Sequence, residues 1–163
     1  MLTLVLVFPA GASRSGDAGG RECVDGLYHG VEIRVEKAAE AVLNEVVQHE
    51  PGKVLPKIWL VPRPLEVGEQ VWQEAGSLRI CHSVDYESWF FFIDDRPGQP
   101  FIHPCRYVFV DRHSLGHFEV FSGEYSWPKN IAEMESLDVA RYAYVPCDER
   151  WKHCWRFRTP DSR

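Results

Sequence analysis

Five consecutive residues, Trp89-Phe90-Phe91-Phe92-Ile93, set the strongest constraint on this chain. Aromatic and β-branched residues favour extended backbone. The run stops at Asp94-Asp95-Arg96-Pro97-Gly98. Asp starts turns, Pro fixes φ and Gly accepts positive φ, so this cluster predicts a reversal. A second apolar run, Arg106-Tyr107-Val108-Phe109-Val110, ends at Asp111. Residues Asp111 to Gly116 read as another turn and His117 to Phe121 as the returning strand. The pattern predicts an antiparallel sheet with Tyr107 and Phe109 on one face and Val108 and Val110 on the other.

The best helical periodicity lies over Glu36 to His49. Ala39, Val42, Leu43, Val46 and Val47 share one face, and Pro51-Gly52 closes the segment. Val31 to Val35 alternates and fits either a strand or an earlier helix start. Ile58 to Val61 reads as a short buried strand. Pro56 on one side and Pro62 and Pro64 on the other suggest an edge position, where missing N–H donors cost least. Glu66 to Trp72 and Leu78 to Val84 read as further extended segments around a turn at Ala75-Gly76-Ser77. Ile131 to Leu137 reads as a short helix or an irregular connection. Val139 to Val145 alternates and reads as one more strand, and the tail from Trp151 to Phe157 is expected to pack back on the body. The expected class is α+β: a twisted antiparallel sheet of about six or seven strands on one main helix, about 36–49.

At 163 residues the chain is long enough for one domain with its own core, and residues 1–163 are read as a single domain with a mobile loop at 9–22. Leu2 to Phe8 is apolar but no Lys or Arg precedes it. This predicts a cytoplasmic protein in which the run is a buried strand; a short signal ending near Ala12 is the alternative. No segment is long enough to cross a bilayer as a helix, so no membrane partner is expected. The net charge of −6 argues against a general nucleic-acid binder. Arg150, Lys152, Arg156 and Arg158 form a local basic tail, read as solvated. The five cysteines are scattered, and the reading is mainly reduced thiols of a cytosolic protein, with one disulfide as the alternative.

Chemistry is weakly signalled. The cysteines lack the paired spacing of a zinc site, although His82, His103, Cys105 and His153 are the residues that convergence would need. Cys105 with His103 or His117 is the best pairing for a Cys/His enzyme. Asp94, Asp95, Asp111, Glu119 and Glu124 are carboxylates for which turn roles are expected. There is no phosphate-cradling loop, nucleophile elbow or zinc-protease helix, so no cofactor is expected. What remains is binding. Aromatics make up 13% of the chain, and a sheet edge offers unpaired backbone groups to an extended peptide. Trp59, Trp72, Trp89, Tyr107, Phe109 and Trp127 are the candidate peptide-binding residues. Homodimerisation through the same edge competes with that use.

The run from Phe101 to Asp111, with the following Gly-containing turn and Trp127-Pro128, resembles a hairpin in small bacterial proteins. The named group it is similar to is the stand-alone peptide-binding proteins of crocagin-type biosynthesis. This chain has Leu115-Gly116 where that group would have Thr-Gly. The resemblance implies a non-catalytic accessory protein of ribosomal-peptide natural product (RiPP) biosynthesis, which presents a precursor peptide to modifying enzymes.

Overall fold

The computed structural model describes residues 33–48, 54–75, 77–100, 102–124, 126–146 and 153–158. The expected strand at 2–8 and loop at 9–22 lie outside them. The described chain is α+β. A helix, α1 (Val35–Ala41), continues into a π-helical turn (Val42–Val47). It ends at Gln48, whose φ of 50° is left-handed.

The main sheet has five antiparallel strands in the order β6-β5-β4-β1-β7. They are β1 (Lys57–Leu60), β4 (Ser88–Asp94), β5 (Pro104–Asp111), β6 (Phe118–Glu124) and β7 (Glu135–Ser136). Two further pairs stand apart from it. One is the ribbon β2 (Val71–Ala75) with β3 (Leu78–His82); the other is β8 (Tyr142–Pro146) with β9 (His153–Phe157). The expected single sheet of six or seven strands is thus divided. Three of the expected extended segments and the C-terminal tail form these two separate antiparallel pairs instead.

The central hairpin follows the sequence pattern. Trp89 pairs with Val110 and Phe92 with Tyr107 across β4 and β5. Gly98 takes a φ of 85° in the intervening loop, where a side chain would be strained. Phe90 to Ile93 and Tyr107 to Val110 are all fully buried because both faces are covered. Each Phe or Val contributes roughly 1.5–3 kcal/mol by leaving water. On the helix side, Phe91, Ile93, Val108 and Val110 pack with Ala38, Ala39, Val42 and Leu43. On the other side, Phe90, Phe92, Tyr107 and Phe109 pack with Val71, Val61 and Ile131. The division of Tyr107 and Phe109 from Val108 and Val110 is as the alternation predicts.

Side chains at the helix surface hold β9. Asn44 donates through Nδ2 to Trp155 O (3.1 Å), and Trp155 N donates to Asn44 Oδ1 (2.8 Å). Phe157 N donates to Glu40 Oε2 (2.9 Å), and Arg156 pairs with Oε1 at 2.9 Å. Glu40 lies off the apolar stripe in sequence, yet it is buried, because β9 covers that flank. At the other end of the helix, Arg106 grips Asp95 with two nitrogens and donates Nη1 to Val46 O (2.6 Å). That bond satisfies a terminal helix carbonyl and places positive charge at the negative end of the dipole.

The position of β1 differs from the sequence expectation. It is not an edge strand: β4 pairs with one side and β7 with the other, Trp59 opposite Ser136 and Leu60 opposite Glu135. Leu137 N adds a bond to Ile58 O (2.8 Å). The flanking prolines sit outside the paired span, so they terminate the strand without exposing its side.

Candidate functional site: the outer edge of β6

With β1 covered, the long border of the main sheet is β6, sequence Phe-Glu-Val-Phe-Ser-Gly-Glu. Antiparallel pairing makes alternate residues exchange both backbone bonds with their partner. Asp111 N donates to His117 O (3.1 Å), which sets the alternation. In this register Glu119, Phe121 and Gly123 bond inward to Phe109, Tyr107 and Cys105. Phe118, Val120 and Ser122 therefore turn their N–H and C=O groups away from the sheet. The neighbouring strand agrees: even-numbered Arg112 donates to Glu87 O (2.9 Å) on the β4 side.

Several other borders are closed by the chain itself, whereas the outer side of β3 has no backbone partner among the described residues. Trp72 N donates to Asn130 Oδ1 (2.8 Å), Lys129 N to Trp72 O (3.1 Å) and Glu74 N to Ser126 Oγ (3.1 Å), which covers β2. The outer side of β9 is held by Asn44 and Glu40 as described. β7 is two residues long. β6 is thus the longest uncovered border of the main sheet among the described residues.

The β2–β3 ribbon lies across the end of β6. The His82 ring packs on Phe121 of β6 (4.6 Å) and Tyr107 of β5 (4.9 Å). Gln73, also buried, donates Nε2 to Glu124 O (3.1 Å). Gly123 permits that contact, since a Cβ there would come within 2.5 Å of Gln73 Nε2. Burial lowers the His82 pKa to about 4, so the ring is neutral near pH 7.

The six aromatic candidates are dispersed. Trp59 and Trp127 meet edge to face at 4.9 Å, with Phe92 beside them, and both are half-buried. Lys57 Nζ lies 4.8 Å from the Trp59 ring. This pair is three strands from β6, about 14 Å at the usual strand spacing. Tyr107 and Phe109 are fully buried beneath the ribbon side of the sheet. Tyr107 OH donates to Ser126 O. Trp89 is on the helix side, donating its indole N–H to Ile33 O (2.8 Å). Trp72 is half-buried on the outer surface of the ribbon, with Arg79 4.5 Å from its ring. No groove next to β6 is built from these six. What sequence reasoning missed is β6 as a border with no partner strand among the described residues; the mixture of Glu, Val and Ser in its sequence was the available signal.

The geometry gives little support to thiol chemistry. Cys105 Sγ donates to Glu124 O (3.2 Å), and burial pushes its thiol up to about 11. His117 sits at the far end of β5, roughly 20 Å from Cys105 by strand rise. His103 lies with Nε2 2.9 Å from Asp94 Oδ1. The turn carboxylates hold backbone: Asp94 accepts from Arg96 N (3.0 Å) and Asp111 from His113 N (2.7 Å). Among the described residues no group of three or more His, Cys, Asp or Glu is placed to hold a metal. A cleft of about 520 Å³ is lined by Arg63, Leu65, Glu69, Glu87 and Arg112. Its cations are already engaged, Arg63 with Glu69 (2.7 Å) and Arg112 with Glu87 (2.8 Å).

Cys81 and Cys105 are free thiols, whereas Cys154 is disulfide-bonded. Cys81 and Cys105 follow the reduced reading, and Cys154 follows its alternative of one disulfide. No described helix is long and apolar enough to cross a membrane. Comparison with known proteins finds no matching family model, no matching curated protein and no matching solved structure.

Proposed function

We propose that this is a non-catalytic peptide-binding protein that accepts an extended segment as a strand added to β6. The observation that carries the reading is the outward turn of the backbone groups of Phe118, Val120 and Ser122, set by the β5–β6 register. An added strand satisfies those groups and supplies affinity through main-chain bonds. In the setting implied by the crocagin-type resemblance, the segment is a ribosomal precursor peptide, held in the cytoplasm for separate modifying enzymes. The high pKa of Cys105 weighs against the rival Cys/His enzyme.

Calorimetric titration of the full chain with candidate leader peptides tests this. Saturable binding should survive Cys105→Ala and disappear in Val120→Pro. The proline removes an outward N–H without breaking an internal ladder bond. Turnover that is lost in Cys105→Ala while peptide binding is retained overturns the reading in favour of an enzyme.

A second reading, a secreted interaction module, is favoured by one observation, the disulfide at Cys154. Structural disulfides persist in oxidising compartments. Non-reducing intact mass of the natively expressed protein separates the two. Recovery from the medium with Cys154 oxidised supports export; recovery from the cytosol with all thiols alkylatable supports the first.

A further inference from the structure

The tip of the β2–β3 ribbon extends past the sheet, and this gives the proposed β6 site a roof. Cross-strand partners share a face, so Val71 and Gln73 point the same way as His82 and Ile80. Leu78, two residues along β3 from Ile80, points that way too. Val71 lies in the apolar cluster with Phe90 and Phe92 of β4, while Gln73 reaches Glu124 at the end of β6. The ribbon therefore runs from the inner strands outward across the border. His82 is seated on Phe121 of the outermost strand. The next residue on that face, Ile80, lies about 6.7 Å further, more than the 4.8 Å between strands. Exposure rises accordingly, from 7% at His82 to 41% at Ile80 and 68% at Leu78. Two large apolar side chains thus face the space beside β6.

We propose that Ile80 and Leu78 cover one face of a strand bound to β6, and that the bound segment combines β-branched apolar residues with lysine or arginine. This rests on the reading of β6 as a peptide-accepting edge. The apolar requirement follows from the roof. The basic requirement follows from charge: β6 carries Glu119 and Glu124 and no Lys or Arg. Neither carboxylate has a salt-bridge partner among the described residues. A neighbouring strand lies well inside the Debye length of about 8 Å. A second copy of the chain would bring the same two carboxylates to the seam; a basic segment neutralises them. The exposed Val120, on the opposite face, adds an apolar contact there.

The test uses the full chain and two labelled peptides of about nine residues, one alternating Val with Lys and one alternating Val with Glu. Binding is followed by fluorescence anisotropy at low salt. The Val/Lys peptide should bind saturably, and the Val/Glu peptide roughly tenfold more weakly or worse. Ile80→Asp and Leu78→Asp, both at exposed positions, should each weaken the Val/Lys peptide by roughly tenfold. Val120→Pro should remove binding. If Val120→Pro removes binding but the two Asp variants bind as the parent does, the roof is overturned and the edge reading stands. If Val120→Pro binds as the parent does, the edge reading itself fails. Equal affinity for the two peptides, or no binding of the Val/Lys peptide, overturns the charge assignment. Concentration-dependent dimerisation abolished by Val120→Pro, with neither peptide competing, assigns the edge to a second copy and overturns the proposal.

Discussion

Gln73 and His82 hold each other inside the protein: Gln73 Oε1 lies 3.1 Å from His82 Nε2, across the two strands of the ribbon. Gln73 donates its amide N–H to Glu124 O, so its oxygen faces the ring and His82 donates from Nε2. This relay fastens the ribbon to the end of β6. It also makes the ribbon sensitive to protons, because a charged imidazolium has no counter-charge in this seat.

Stability should therefore fall with acid in a defined window. The folded pKa of His82 is lowered to about 4 from 6.5. Between these values the unfolded chain binds more protons, so the stabilisation is complete above pH 6.5 and is lost as pH falls to about 4. At 1.36 kcal/mol per pH unit, the loss is at most about 3 kcal/mol. Urea unfolding of the parent and His82→Phe at pH 7.5, 6 and 4.5 checks this. The stability difference between them should shrink toward acid; a constant difference removes His82 as the source.

Thiol reactivity should separate sharply between two cysteines. Cys81 is exposed, whereas Cys105 is buried with its pKa at about 11. Alkylation with iodoacetamide at pH 8 should modify Cys81 in the folded protein and Cys105 only on unfolding. Equal rates would contradict the buried placement and revive Cys105 as a nucleophile.

The Asn44 amide stands in for a strand against β9. Asn44→Ala leaves the N–H and C=O of Trp155 without that partner and should cost about 1–3 kcal/mol. Asn44→Asp retains the acceptor but sets a carboxylate against Trp155 O, and should cost at least as much. Denaturant unfolding measures both; a change below about 0.5 kcal/mol in each, the range of ordinary surface substitutions, contradicts the clamp.

Gly123 should matter through Gln73. A Cβ at Gly123 would lie 2.5 Å from Gln73 Nε2, which is tied to Glu124 O and opposite His82. Gly123→Ala should displace the amide and cost roughly 1–2 kcal/mol. Pairing it with Gln73→Ala in a double-mutant cycle should show strong coupling; additive effects would mean that the clash is relieved elsewhere.

Much of the scaffold was legible in the sequence. The aromatic run from Trp89 to Ile93 announced a strand, and the Asp-Pro-Gly cluster after it located the turn; that both faces of the strand are covered emerges only from the packing. The helix ends within two residues of its expected limit, at Val47. Local pattern could not show which strands neighbour one another. Prolines around Ile58 to Val61 suggested a border, but the two-residue β7, far along the chain, closes it. Likewise Leu78 to His82 alternates as a sheet strand would, yet among the described residues it pairs only with β2. The aromatic candidates were chosen for residue type, and burial then distributed them: Trp89 under the helix, Tyr107 and Phe109 under the ribbon. The exposed backbone of β6 follows from register, a long-range property that no single segment encodes.

The most direct measurement of the central claim is amide hydrogen exchange by NMR, with and without the saturating Val/Lys peptide. The account predicts new protection at the outward amides of Phe118, Val120 and Ser122, with little change at Glu119 and Phe121, already bonded to β5. Unchanged exchange at those three amides, with protection appearing elsewhere, would contradict it.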